Sequence, residues 1–311
     1  MNSFEALNIK KADAICYSGF REGQHPGGIC PSYAEIKSDL ILLQNQWKYL
    51  RLYDVDLHAE TVLEVIRNEG LNFKVMLGVF ISAESNNSQC PWNAGIYDES
   101  TLKLNANNNF LKIERLVSLC KEYDNIIFSV SVGNEACVDW TDHYVPEEKV
   151  LEYVRYAKRY SQKPVTYCDN YVPWLSKLKP LSEEVDFISI HIYPIWEYKH
   201  IDEALQYSKQ NYYSVAKLYP DIPVIITEAG WATKANGRGI DPDNANERFQ
   251  EIYYHQIKQW TDDEGILCFL FEAFDESWKG SDDPLDPEKH WGLFNINRKP
   301  KAVLKNLETI I

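Results

Sequence analysis

A (β/α)8 barrel, the TIM-barrel class of α/β folds, is what this sequence predicts, and three observations predict it. Eight short β-rich runs alternate with helix-like stretches across 311 residues, a normal length for one such barrel. Several runs carry polar residues on one face and aliphatic residues on the other, as strands between a barrel interior and a helical layer must. Seven of the nine tryptophans follow the C-terminal ends of predicted strands, the end where barrels place their sites.

The strand-like runs are 12–18 (ADAICYS), 47–53 (WKYLRLY), 72–80 (NFKVMLGVF), 125–133 (NIIFSVSVG), 163–168 (KPVTYC), 186–193 (DFISIHIY), 222–229 (IPVIITEA) and 265–274 (GILCFLFEAF). Between them lie amphipathic segments such as SYAEIKSDLILLQNQ, TVLEVIRNEG and ERFQEIYYHQIKQW. In the second run Tyr49, Arg51 and Tyr53 oppose Leu50 and Leu52. In the fourth, Ser129, Ser131, Gly133 and Glu135 oppose Val130 and Val132; in the sixth, Ser189, His191 and Tyr193 oppose three isoleucines. A doubly wound open sheet would announce itself with GxGxxG at its first turn, and YSGFREGQHPGG does not match. No internal repeat, linker or low-complexity tract divides the chain, so a single catalytic domain over 1–311 is expected.

Composition narrows the function classes. A net charge of −14 repels polyanions, so nucleic acid is not the expected partner and a neutral one is. The longest apolar stretch, ILCFLF at 266–271, is too short to insert in a bilayer. Seven cysteines without a CxxC pair, four of them in strand-like runs (Cys16, Cys137, Cys168, Cys268), read as buried thiols. No HExxH or paired-CxxC spacing suggests a metal, and no cofactor is expected. The start, MNSFEALNIKK, has no leader pattern: either the chain stays in the cytoplasm or a leader has been removed. The expectation is a secreted, periplasmic or cell-surface monomer.

The predicted mouth carries the chemistry. Trp92, Trp140, Trp174, Trp196, Trp231, Trp278 and Trp291 crowd one rim, where indole faces can stack on the C–H faces of sugar rings. Glu135 follows the fourth run and Glu228 closes the seventh, across the mouth from each other. Two carboxylates facing across a sugar-sized gap are the machinery of glycoside hydrolysis, one donating a proton to the leaving oxygen and the other attacking the anomeric carbon. Asn134 is placed to bond a sugar 2-OH, Trp140 to flank the bound chain, Arg51 to keep the nucleophile ionised, and Tyr193 to donate to it. His191 is read as a hydrogen-bonded interior histidine or a participant in catalysis.

SVGNEA, ITEAGW, LRLYD, FEAFDESWKG and HWGLF, in this order between residues 15 and 294, resemble glycoside hydrolase family 17, the β-1,3-glucanases and related glucanosyltransferases. CYSGFREGQHPGG and HIYPIWE resemble its bacterial and fungal branch. The resemblance implies a retaining enzyme with no cofactor, Glu135 as acid/base and Glu228 as nucleophile. It also implies a cleft lined by Tyr17, Tyr53, Asn134, Tyr193, Glu276 and Lys279, with Trp231 and Trp278 among the rim aromatics; Trp278 stands where plant members have Gln. Expected is an endo-acting hydrolase of laminarin-type glucans, with exo action, glycosyl transfer and a non-catalytic sugar-binding barrel as alternatives. The Asn- and Ser-rich stretch 81–109 could wall off one end of the groove, its tail beginning a helix. The acidic stretch 281–290 is read as a solvated loop bringing Glu288 near the cleft, with a calcium loop as the alternative.

Overall fold

A computed structural model describes residues 1–92 and 94–305; position 93 and the segment 306–311 of the expected 1–311 domain lie outside the described residues. Along the chain the elements are α1 (Ser3–Ala6), β1 (Ala14–Cys16), α2 (Tyr33–Leu43), β2 (Tyr49–Leu52), α3 (Leu57–Asn68), β3 (Lys74–Val79), α4 (Glu99–Glu122), β4 (Ile127–Asn134), α5 (Glu147–Ser161), β5 (Val165–Asn170), α6 (Tyr171–Trp174), α7 (Lys179–Ser182), β6 (Ile188–Ile192), α8 (Ile201–Leu218), β7 (Val224–Ala229), α9 (Glu247–Glu264), β8 (Cys268–Leu270) and α10 (Ala302–Lys305). The eight strands pair in sequence order, all parallel, and β8 closes on β1. This is the (β/α)8 barrel the alternation predicts.

Local signals set the helix starts. Ser32 and Glu35 form a reciprocal capping box at α2, and Asp56, Asp98 and Asn246 accept backbone N–H groups at the starts of α3, α4 and α9. Because α4 begins at Glu99, the predicted long loop ends there. What precedes it is tied to the next rim loop: Asn87 donates to the Asp139 and Thr141 carbonyls, and Tyr97 to that of Asp142. β8 is shorter than its predicted run. Beyond Leu270 the chain leaves the ladder, and Phe274 bridges instead to Phe294.

The strand faces separate as the parity predicts. Leu50, Leu52, Val75, Leu77, Val130, Val132, Ile188 and Ile190 join the core beneath the helices. Ala14, Cys16, Tyr49, Met76, Cys168, Phe187, Ile225 and Phe269 fill the barrel interior as a separate plug. Above this plug the buried interior positions turn polar, with Arg51, Ser131, His191 and Thr227.

Three register shifts then break the alternation where the mouth begins. Three β4 residues, from Ser131 to Asn134, span two of β5. β7 carries one residue more than β6 between Ile226 and Glu228, and one more than β8 between Ile226 and Ala229. Such bulges re-aim side chains. The first lets the neighbours Asn134 and Glu135 serve one site, and the second turns Glu228 inward where strict alternation would leave it with Ile226.

Candidate active site

Glu228 is the most constrained side chain of the mouth. It is 5% exposed, and its Oε1 accepts hydrogen bonds from Arg51 Nη1 and, at 3.0 Å, from the Tyr53 hydroxyl. Its Oε2 accepts from the Tyr193 hydroxyl at 2.5 Å and lies 3.4 Å from His191 Nδ1. Burial alone would raise its pKa, but the charges of His191 and Arg51 and the bonds from Tyr193 and Arg51 prevail and hold it down to about 2. Glu228 is therefore an anion at any physiological pH.

Glu135 sits differently. Its side chain is 29% exposed and its Oε1 lies 2.8 Å from His191 Nδ1. The turn that presents it is unusual: Gly133 has φ +93° and Glu135 φ +49°. A Cβ on Gly133 would meet the Tyr167 ring at 2.8 Å, so glycine is needed for both space and conformation. Behind the turn, the Cys137 N–H donates to the Tyr167 hydroxyl at 2.8 Å, and Tyr167 in turn donates to Asp169.

His191 links the two carboxylates. Burial lowers its pKa, yet Glu228, Cys168 and Glu135 more than reverse this and lift it to about 10. A Glu135 oxygen, a Glu228 oxygen and a His191 nitrogen lie within 4.8 Å of one another, a spacing compatible with a metal. A protonated imidazole offers no lone pair, however, so at neutral pH the ring places an N–H, not a ligand atom, between the two carboxyl groups.

Arg51 Nη2 donates to Asn134 Oδ1 at 2.5 Å. A guanidinium has only donors, so the amide turns its oxygen to Arg51 and its Nδ2 away, which suits it to donate to a substrate hydroxyl. Arg51 itself is 1% exposed and bonds protein groups; its part is to orient Glu228 and Asn134.

A second charged cluster lines the β8 side. Lys279 Nζ bonds both Glu272 oxygens at 2.8 and 2.7 Å and pairs with Glu276 at 2.7 Å. Burial pushes the Glu272 carboxyl well up despite this lysine. Burial, set against Lys279 and reinforced by the carboxylates of Asp286, Glu135 and Glu228, raises Glu288 to about 7. Two acids of the loop that carries Glu288 are engaged locally: Asp286 accepts from the Ser281 and Glu288 N–H groups, and Asp283 from Asn236 and the Leu285 N–H.

Of the sequence-selected residues, the structure brings Glu135, Glu228, Arg51, Tyr53, Asn134 and Tyr193 together, while Lys279 stands with Glu272 and Glu276 on the β8 side. Trp140 and Trp278 stand on the rim, 38% and 39% exposed. Three others sit elsewhere. Tyr17 shares the outward face with Ile15, is fully buried, and bonds Asp39 of α2 at 3.3 Å. Trp231 is 1% exposed, donates to the Asn244 carbonyl at 2.8 Å and packs on Tyr253 of α9. Glu276 is fully buried, and its carboxylate takes the Ser18 hydroxyl at 2.6 Å and the Trp278 indole N–H at 3.0 Å, so it supports the rim from behind. Trp174 and Trp291 are likewise core residues. The sequence singled out neither Ser18 nor Tyr167 and Asp169, since a lone Ser or Tyr near a strand end carries no pattern.

Arg51→Lys should cut activity at least about tenfold with the fold intact, because an ammonium cannot hold Glu228 and Asn134 with one planar fork. Steady-state rates with a melting curve check this; full activity would make Arg51 a packing residue only. A second expectation concerns acid. The folded pKa of Glu228 is depressed to about 2 from an ordinary 4.5, so its stabilisation is complete above pH 4.5 and is lost as pH falls through 2. Denaturant midpoints should fall more steeply over that window in the wild type than in Glu228→Gln; parallel slopes would refute the assignment.

Comparison with known proteins agrees with this geometry. The sequence profile of the BtgE/BtgC glycoside hydrolase domain matches residues 14–292. A glucan 1,3-beta-glucosidase of Arthroderma benhamiae is 23% identical over 304 residues, covering 91% of this chain and 88% of that protein. A cell surface mannoprotein of Candida albicans is 24% identical, covering 91% of this chain and 67% of its own. An endo-laminarinase from Formosa superposes with a TM-score of 0.81 at 27% identity, covering 100% of this chain and 90% of its own. The chain belongs to the BtgE/BtgC glycoside hydrolases, within the glycoside hydrolase family 17 that its motifs resemble.

Proposed function

We propose that this chain is an endo-acting, retaining β-1,3-glucan hydrolase working on laminarin-type glucans from one barrel domain. The observation that carries the reading is the asymmetry of two carboxyl groups that approach closely, one oxygen of each lying within 4.8 Å of the other. Retaining pairs stand about 5 Å apart, whereas inverting pairs stand about 6.5–9.5 Å apart to admit water.

The buried, permanently charged Glu228 attacks the anomeric carbon, and Glu135, nearer solvent, protonates the departing oxygen. The glycosyl–Glu228 ester is then hydrolysed by a water that gives its proton to Glu135. Asn134 Nδ2 donates to the 2-OH, a bond that strengthens as positive charge grows on the ring. Trp140 and Trp278 offer exposed faces to neighbouring sugars. A neutral polymer suits a chain of net charge −14. The names of the laminarinase and glucosidase relatives support the substrate. Among the described residues no helix is long and apolar enough to cross a membrane, and the mannoprotein relative favours the cell surface as the place of work.

Incubation with laminarin should lower viscosity early and yield a ladder of oligosaccharides. A single small sugar released from a polymer that stays long would overturn endo action. Products longer than the substrate would assign transfer, and no products at all would leave a binding barrel. Glu228→Ala should be inactive on glucan, with part of the rate on activated glycosides restored by azide as the α-glycosyl azide. The β-azide from this variant would exchange the roles of the two glutamates.

A further inference from the structure

A half-buried histidine beside the mouth, His143, has no part in the mechanism above. His143 lies in the loop between β4 and α5, its side chain 18% exposed. Its Nε2 is 2.9 Å from the carbonyl oxygen of Asn134, and its Nδ1 is 2.8 Å from Asp142 Oδ1 and 3.0 Å from Thr141 Oγ1. A carbonyl can only accept, so Nε2 must carry hydrogen. The ring also packs on Phe80, which ends the β3 side of the mouth, with centroids 4.6 Å apart. His143 thus clamps the peptide joining Asn134 to Glu135, the two residues that hold the sugar and protonate it.

That peptide needs a clamp. It lies between Gly133 at φ +93° and Glu135 at φ +49°, a left-handed conformation that a glutamate adopts only when its surroundings impose it. Tyr167 fixes the far side of the turn through the Cys137 N–H, and His143 fixes the near side. Resting on the hydrolase reading above, we infer that His143 is a positioning residue for Glu135: its Nε2–H holds the Asn134 carbonyl, which begins the peptide to Glu135, and so aims the proton-donating carboxyl at the departing oxygen.

The test uses the full chain as wild type, His143→Ala, His143→Phe and His143→Gln. Phenylalanine keeps the packing on Phe80 but cannot donate; glutamine keeps a donor. Each is assayed on a β-1,3-gluco-oligosaccharide and on a 2,4-dinitrophenyl β-glycoside, whose leaving group departs without protonation. Misaiming the acid should lower kcat on the oligosaccharide by about 10- to 100-fold. KM should stay within about threefold, and so should the bond-breaking step on the aryl substrate. Glutamine should recover most of the loss. Equal losses on both substrates, or none, in His143→Phe overturn the assignment, and that variant decides should alanine not fold. Position is also read without substrate: a crystal structure of His143→Phe should show the Glu135 carboxyl shifted by about 1 Å or more. An unmoved turn overturns the inference. A wild-type chain inert toward both substrates refutes the hydrolase reading, and the crystallographic comparison then decides the positioning by itself.

Discussion

One buried guanidinium organises this site. Arg51 rises from the interior face of β2 and is almost wholly closed off from solvent, where an unpaired charge would cost several kcal/mol. Its partners come from across the barrel: Glu228 and the Thr227 carbonyl from β7, Asn134 from β4. Satisfying the cation therefore fixes three strands relative to one another at their C-terminal ends. It also decides the state of both polar partners, since the carboxylate stays charged and the amide must present its oxygen inward. Charge neutrality and catalytic geometry are here the same requirement.

The remaining charges follow from that arrangement. With Glu228 committed to Arg51, His191 adds a second cation, and its ring nitrogen leans closer to the half-buried Glu135 than to Glu228. The two carboxylates are thus given unlike surroundings by one imidazole. On the β8 side Lys279 serves Glu272 and Glu276 together, and the adjoining loop is anchored by Lys289, which donates to the Ser277 and Lys279 carbonyls at 2.7 and 2.6 Å. Within that acidic loop, Asp286 and Asp283 accept backbone N–H groups, which offsets part of its charge locally.

How much of this was legible in the chain depended on the period being read. All eight strands were visible, because a buried strand is a short apolar run bounded by turn residues. Parity placed Arg51, Tyr53, His191 and Tyr193 correctly, since β2 and β6 keep strict alternation up to the mouth. The same rule, applied one position further to Tyr17, would have shown it facing outward with Ile15. Glu228 was found by its place at a strand end and its motif, not by parity, which would have sent it into the helical layer. Register shifts depend on the neighbouring strand, and no single run of sequence records them. Trp231 and Glu276 went astray for another reason. An aromatic or a carboxylate after a strand serves rim or interior equally well, and only tertiary contacts, with α9 for Trp231 and with the Trp278 indole for Glu276, separate the two.

The left-handed turn at Glu135 has a consequence for how such a chain can change over time. A side chain at φ +49° costs about 1 kcal/mol relative to glycine, which occupies that region freely. Selection for folding alone would therefore favour glycine or asparagine at this position and discard the acid. The glutamate persists only while its chemistry is under selection. On the proposed mechanism, a descendant released from that task, and kept for its ability to grip a surface, would gain stability by a substitution that also silences it.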